Sequence, residues 1–176
     1  MKGIGIDTVI LIRAGCGRIA TYPSRVLQRE ADIYPVYDDL VDMFLTLAEE
    51  NAMTFFFGTY DSVSHTKQKR TIQEHLDLGR AFIEEAWARY GHRAAFKGWY
   101  LTFEISRKDP TRLACLRQLG EHCKALSPEL PTLISPYIAG VLVTVHAQVD
   151  ATRQRVQKRA VSPEGRGTVS VPLSEQ

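Results

Sequence analysis

Hydrophobic and polar positions change their spacing repeatedly over the first 137 residues, and this change predicts an α/β fold. Short apolar runs typical of buried strands occur at residues 7–13, 53–60, 96–104 and 131–137. Between them, apolar side chains recur at helical spacing over residues 38–50, 71–90 and 110–126. Because strands alternate with helices, we expect four to five parallel strands joined by right-handed crossover helices.

The chain changes character near residue 148. The final segment contains several bases and then a polar, glycine-containing stretch: Arg153, Arg155, Lys158, Arg159 and residues 162–167. Such a segment cannot bury much apolar surface. We therefore predict one domain over residues 1–147 and a disordered, solvated tail over residues 148–176.

The strand at residues 96–104 is the most informative one because it ends on an acid. Strand alternation predicts that Tyr100, Thr102 and Glu104 share one face. The opposite face is apolar and is expected to pack on helices: Trp99, Leu101 and Phe103. In α/β proteins, binding and catalysis are built at the carboxyl ends of the strands. Glu104 is therefore the first candidate for a functional group.

The other predicted strand ends contribute polar and aromatic side chains that would meet Glu104 at one edge of the sheet. They are Arg13, Tyr60, Asp61, Ser135 and Tyr137, and Tyr100 is added from the strand that ends on Glu104. Aromatic faces stack on the C–H surfaces of sugars, while carboxylates and a guanidinium bind hydroxyl groups. The set therefore favours a carbohydrate ligand, although each residue alone is also an ordinary strand-end residue that meets solvent.

Glycoside hydrolysis needs two carboxyl groups, one to protonate the leaving oxygen and one to attack carbon or activate water. Glu104 is the candidate general acid/base, because apolar neighbours would raise the pKa of its carboxyl group. Asp61 is the candidate partner, although a loop acid at that position is commonly solvated.

Composition and charge narrow the classes of partner. The net charge is +2 and bases and acids are interleaved over most of the chain, so nothing favours nucleic acid or a membrane surface. No apolar stretch reaches the length of about 20 residues that a membrane span needs. A charge interrupts the first residues before a leader's apolar core forms, so the chain as written is predicted to be cytoplasmic.

Metal, thiol and cofactor chemistry have little support. No metal-ligand spacing is present among the histidines: His65, His75, His92, His122 and His146. The cysteines lack CxxC spacing and are predicted to be free, buried thiols: Cys16, Cys115 and Cys123. No glycine-rich segment matches a dinucleotide fingerprint or a phosphate loop. We therefore expect neither a metal nor a cofactor.

Five segments, taken in order, carry a family resemblance over about residues 3–140: residues 5–11, 22–24, 89–92, 98–101 with Glu104, and 133–137. They resemble a mainly bacterial family of domains of unknown function, DUF4434, whose members are similar to TIM-barrel glycoside hydrolases. The stretch from residue 89 to Glu104 is the most specific part. The resemblance implies a partial (β/α)8 barrel with Glu104 at the top of its fourth strand, where many such hydrolases have their acid/base.

The resemblance also implies what this chain lacks. Large clans of these hydrolases have Asn directly before the acid, where this chain has Phe103. A full barrel typically needs about 250 residues, whereas this chain has 176. We therefore expect a truncated, open half-barrel whose first strand lies upstream of Met1. Its open sheet edges would allow a homodimer, and catalysis by this chain alone does not follow.

The predicted function is carbohydrate hydrolysis with Glu104 as general acid/base. The alternative is a non-catalytic carbohydrate-binding or interaction domain in which Glu104 only hydrogen-bonds a ligand. A third interpretation is a complete, doubly wound α/β sheet with different small-molecule chemistry, which lacks a phosphate-binding loop to support it.

Overall fold

Strands and helices alternate along the chain as the apolar spacing predicts. The structure is a computed structural model that describes residues 5–62, 70–103, 110–135, 143–144 and 168–169. Its elements in chain order are β1 (Thr8–Leu11), β2 (Gly15–Cys16), β3 (Ile19–Ala20), α1 (Arg25–Glu30), α2 (Leu40–Glu50), β4 (Thr54–Gly58), β5 (Tyr60–Asp61), α3 (Ile72–Tyr90), β6 (Phe96–Leu101), α4 (Pro110–Leu126), β7 (Thr132–Ile134), β8 (Val143–Thr144) and β9 (Thr168–Val169).

The main sheet has four strands in the order β1, β4, β6 and β7, and each neighbouring pair is parallel. The order follows the chain without reversal among these described strands. A barrel segment has that order, whereas a doubly wound sheet reverses its order at a switch point. The predicted fold class, α/β with parallel strands and crossover helices in a partial barrel arrangement, is confirmed.

One face of the main sheet packs against the crossover helices. The Trp99 ring lies in this core, 5.7 Å from Phe57 of β4 and 6.1 Å from Trp87 of α3, measured between ring centroids. Leu101 and Phe103 belong to the same core, as strand alternation predicts. On the other face, Ile10 is 44% exposed, so helices cover only one side of β1.

The segment between β1 and α2 contains short elements where the sequence analysis predicts neither a strand nor a helix. β2 and β3 form an antiparallel hairpin, and β5 joins β2 in parallel to give a small second sheet. The six-residue helix α1 follows. Two-residue strands and a helix of under two turns are too short to produce a readable period, so the sequence pattern could not predict them.

The predicted strand at residues 53–60 is divided between the two sheets at Gly58. A side chain at Gly58 would place its Cβ 2.0 Å from the carbonyl oxygen of Leu11. The carbonyl oxygen of Gly58 accepts a hydrogen bond from the Ala14 N–H at 3.1 Å. This close approach explains the glycine, and Tyr60 then continues in the second sheet as part of β5.

Three helices begin at polar residues whose side chains cap the first turn. Ser24, Asp39 and Thr71 accept hydrogen bonds from backbone N–H groups of α1, α2 and α3. At α3, the Glu74 side chain also accepts from the Thr71 N–H at 2.6 Å, which completes a capping box. Local sequence therefore fixes where these helices start.

Near the end of the chain, the structure describes one short strand pair. β8 and β9 are antiparallel, with Val143 opposite Val169. β9 falls within the predicted disordered tail, and the remainder of residues 148–176 lies outside the described residues. The predicted division into a domain over 1–147 and a tail over 148–176 stays a prediction.

Candidate functional site at the strand ends

Two threonines join the carboxyl ends of three neighbouring strands. The Oγ1 atoms of Thr59, after β4, and Thr102, after β6, lie 3.0 Å apart. The Thr102 N–H donates to Thr59 Oγ1 at 3.2 Å, and Thr102 Oγ1 donates to the Thr59 carbonyl oxygen at 2.7 Å. The carbonyl oxygen of Ile12, after β1, lies 3.2 Å from the same hydroxyl. The backbone two residues before Glu104 is therefore fixed to both preceding strands.

Arg13 and Asp61 form an ion pair above these strand ends. Arg13 Nε donates to Asp61 Oδ2 at 3.2 Å, and the Arg13 side chain is 39% exposed whereas that of Asp61 is 3% exposed. The sequence indicated a solvated loop acid at residue 61, but Asp61 lies in β5, whose pairing with β2 holds it against the hairpin. The tertiary structure thus brings two of the predicted site residues into contact.

Tyr60 is directed into the core. Its ring centroid lies 5.9 Å from that of Phe82 in α3, and its hydroxyl donates to the Gly17 carbonyl oxygen at 2.6 Å. Burial raises the pKa of this hydroxyl to about 12. In this arrangement the Tyr60 hydroxyl stabilises the β2–β3 hairpin, which carries Cys16 and Gly17 beside Asp61.

The remaining predicted site residues are distributed along the later strands. Tyr100 of β6 is buried and pairs with Gly58 and Leu133 across the sheet. Ser135 follows β7 and is exposed. Glu104 and Tyr137 lie outside the described residues. Of the two carboxyl groups predicted to act together, Glu104 and Asp61, the structure therefore describes only that of Asp61. The roles of all these residues stay predictions.

His75 lies beside the candidate site, and the sequence analysis did not single it out as functional. Its Nδ1 lies 2.8 Å from the Ser62 hydroxyl oxygen, directly after β5. Burial lowers the pKa of His75, and Arg70 lowers it further, while Glu74 and Asp61 oppose these effects. A neutral imidazole can both donate and accept a proton. The sequence did contain one indication of this histidine's position. His75 lies in the first turn of a predicted helix that follows a strand end, and barrel sites are built from such positions.

Beside this histidine, a cavity of about 340 Å³ lies between α3 and α4. Its lining is mostly apolar and includes Leu76, Phe103, Cys115 and Leu119 together with His75. Phe103 directly precedes Glu104 in the chain, so the cavity adjoins the end of β6.

Cys16 lies beside Asp61 on the paired strands β2 and β5. Burial raises the pKa of the Cys16 thiol and the Asp61 carboxylate raises it further, while Arg13 lowers it. A raised pKa keeps the sulfur protonated at neutral pH, which disfavours a nucleophilic role.

Among the described residues, no group of three His, Cys, Asp or Glu side chains could hold a metal ion. No helix in the described part of the chain is long and apolar enough to cross a membrane.

Comparison with known proteins gives the family. The model of a domain of unknown function, DUF4434, matches residues 1–162, beyond the stretch of about 3–140 that the sequence resemblance covers. This chain belongs to the DUF4434 family. No curated protein matches it.

The solved structures similar to this DUF4434 chain include one that is described as a putative alpha-L-fucosidase from Bacteroides thetaiotaomicron VPI-5482. The sequence identity is 42% and the TM-score is 0.72. The similarity covers 80% of this chain and 43% of that chain, so this chain spans less than half of that protein's length.

Two of the five segments that carry the DUF4434 resemblance donate hydrogen bonds to carboxylates of the helices. From residues 22–24, the Tyr22 hydroxyl and the Ser24 hydroxyl donate to Glu85 of α3. From residues 89–92, the Tyr90 hydroxyl lies 2.8 Å from both carboxylate oxygens of Asp39, which also caps α2. These parts of the family pattern therefore hold helices together.

Proposed function

We propose that this DUF4434 chain is a glycoside hydrolase-like domain that binds carbohydrate at the carboxyl ends of β1, β4 and β6, with Glu104 as general acid/base. The observation that supports it best is the buried Asp61 of β5, which pairs with Arg13 and lies three residues after β4, the strand next to β6 in the main sheet. A carboxylate and a partly exposed guanidinium at a strand end are suited to binding sugar hydroxyl groups.

The proposed chemistry uses two carboxyl groups in different roles. Glu104 gives its proton to the glycosidic oxygen as the bond from that oxygen to the anomeric carbon breaks. Asp61, which faces Arg13, is the candidate for the second, ionised carboxylate that attacks the anomeric carbon or removes a proton from water. The Thr59–Thr102 hydrogen bonds support this assignment, because they fix the backbone that leads to Glu104.

The substrate class we propose to test first is an α-L-fucoside, because the similar solved protein is described as a putative alpha-L-fucosidase. The alternative function is a non-catalytic carbohydrate-binding domain. It is favoured by the coverage of 43% of that protein, since the other part of a barrel would contribute further strand ends. A homodimer through the outer strands β1 and β7 stays a prediction.

The test measures sugar release from a panel of alkyl glycosides that includes the α-L-fucoside, whose alcohol leaving groups need protonation, with the wild-type chain and Glu104→Gln. Removing a general acid typically lowers the rate by about 10²–10⁴-fold. Asp61→Asn should also lower turnover, with circular dichroism to check its folding. Glu129→Gln, an exposed acid before β7, is the matched control and should turn over normally.

The outcomes separate the two functions. Turnover that falls only in the Glu104 and Asp61 variants supports hydrolysis. Sugar binding without turnover in any form favours the non-catalytic alternative. Equal turnover by wild type and Glu104→Gln removes Glu104 from the mechanism, and the absence of both binding and turnover contradicts the whole proposal.

A further inference from the structure

An exposed aromatic groove lies beside the β2–β3 hairpin. We call it the tyrosine groove and define it by Ile19, Tyr34, Tyr37, Asp38 and Leu40. Its volume is about 250 Å³. Tyr37 is 90% exposed and Tyr34 is 56% exposed. Contiguous exposed apolar side chains mark binding surfaces more often than scattered ones do.

The Tyr34 ring is held in place by neighbouring charges. The Arg18 guanidinium carbon lies 4.4 Å from the ring centroid, which is a cation–π contact. Arg18 also forms an ion pair with Asp32, with Nη2 and Oδ2 2.9 Å apart. A ring that is already oriented loses less conformational freedom when a ligand stacks on it. Tyr34 is therefore prepared for contact with a ligand face.

The groove is connected to the strand-end site through the hairpin. The Tyr34 N–H donates to the Arg18 carbonyl oxygen at 2.8 Å, and the N–H of the preceding residue, Gly17, donates to the Asp61 carbonyl oxygen at 3.2 Å. Two backbone hydrogen bonds thus link the tyrosine that forms the groove to the buried aspartate of the site. The groove and the strand-end site therefore flank the same β2–β3 hairpin.

The chemistry of the groove fits a sugar ring better than a protein. Tyrosine faces and the Ile19 side chain offer apolar contact, while the tyrosine hydroxyl groups and the Asp38 carboxylate offer hydrogen bonds. At about 250 Å³ the groove is smaller than the pockets of about 300 Å³ or more that enclose drug-sized ligands, so it has room for one sugar ring that stays partly open to solvent. A stable protein interface takes about 20–30 residues from each partner, whereas eight residues line this groove.

We propose that the tyrosine groove is a second carbohydrate subsite, which binds a sugar unit next to the one held at the strand ends. This inference rests on the proposed function, since the sugar unit in the groove would belong to the same oligosaccharide that is bound at the strand ends. It assigns to Tyr37 and Tyr34 the stacking contacts with the outer unit of an oligosaccharide.

The test measures the Kd of L-fucose and of the trisaccharide 2′-fucosyllactose by titration calorimetry. Aromatic contacts are worth about 0.5–1.5 kcal/mol, so Tyr37→Ala should weaken trisaccharide binding by about two- to tenfold and leave L-fucose binding unchanged. Tyr37→Phe keeps the ring and should retain most of the affinity. Leu47→Ala, an exposed apolar residue of α2, is the matched control and should change neither Kd.

The outcomes distinguish the groove from the strand-end site. If Tyr37→Ala binds the trisaccharide as wild type does, or weakens both sugars equally, the groove is not a separate subsite. A change in sedimentation of Tyr37→Ala shows a protein interface there and also overturns the proposal. A wild-type chain that binds neither sugar contradicts both proposals. Selective loss of trisaccharide binding, with turnover unaffected by Glu104→Gln, would support the groove while removing the proposed catalytic role.

Discussion

Glu85 of α3 accepts a hydrogen bond from the backbone N–H of Arg25, the first residue of α1, at 2.7 Å. The same carboxylate accepts from the Val26 N–H at 3.3 Å and from the hydroxyl groups of Tyr22 and Ser24. A helix of six residues is too short to be stable alone. The side chain of a distant helix therefore supplies the anion that caps α1, and it fixes the segment that follows the β2–β3 hairpin.

We predict that Glu85→Ala lowers the free energy of unfolding by about 1–3 kcal/mol, because it leaves helix N–H groups and a buried tyrosine hydroxyl without an acceptor. Urea denaturation measures the change. Glu50→Ala, at an exposed position of α2, is the control and should cost less than about 0.5 kcal/mol. Equal effects of the two substitutions would contradict the capping role.

The threonine pair at the strand ends gives a second prediction. Thr102→Val keeps the shape of the side chain but leaves the buried Thr59 hydroxyl and carbonyl groups without this partner. The expected loss in the free energy of unfolding is about 1–3 kcal/mol, while Thr102→Ser, which keeps the hydroxyl, should lose less.

A double-mutant cycle tests whether the two threonines act together. Denaturation of Thr59→Val, Thr102→Val and the double variant should give a coupling energy of about 0.5–3 kcal/mol. Strictly additive losses would show that the contact between the Thr59 and Thr102 hydroxyl groups contributes nothing to stability.

A third prediction concerns the pH dependence of the stability that the ion pair between Glu49 and Arg93 contributes. Arg93 after α3 donates to both carboxylate oxygens of Glu49 in α2, with Nη2 and Oε2 2.8 Å apart. The hydrogen bond from Arg93 is the main cause that lowers the pKa of Glu49 below its ordinary value of 4.5. A pKa lowered in the folded state contributes stability above the unfolded value and loses it as the pH falls through the folded value.

The stability difference between wild type and Glu49→Gln should therefore be full at pH 7 and shrink from about pH 4.5 downward. Denaturation series at several pH values measure it. Glu50→Gln, at the next and exposed position, should show little difference at any pH. A Glu49→Gln difference that stays constant to low pH would rule out the ionised pair as its cause.

Much of the main sheet could be predicted from the sequence because its elements are long enough to show a period. Helix α3 runs over Ile72–Tyr90 and was expected at residues 71–90, and β6 shows the expected alternation. Strand ends were less accurate: the predicted strand at 53–60 stops at Gly58, where the approach of the Leu11 carbonyl is a tertiary contact.

The sequence predicted which residues would lie at the candidate site better than it predicted how they are arranged there. The sequence indicated that Arg13 and Asp61 would meet at one edge, since both follow strands. It did not indicate that Asp61 is buried, because its burial depends on the pairing of β5 with β2, two strands of two residues each. The contact between His75 and Ser62 was missed for a related reason, since it joins a helix to a strand end across 13 positions.

The sequence by itself determined the α/β order, the start of α3 at Thr71, and the family to which the chain belongs, because periodicity, capping and motifs are local properties. Only the tertiary structure decided that Tyr22 and Ser24 donate hydrogen bonds to Glu85 and that Tyr90 donates to Asp39. It also decided that Thr102 joins three strand ends. Such roles depend on hydrogen bonds between residues about 40 to 90 positions apart, and those distances exist only when the chain is folded.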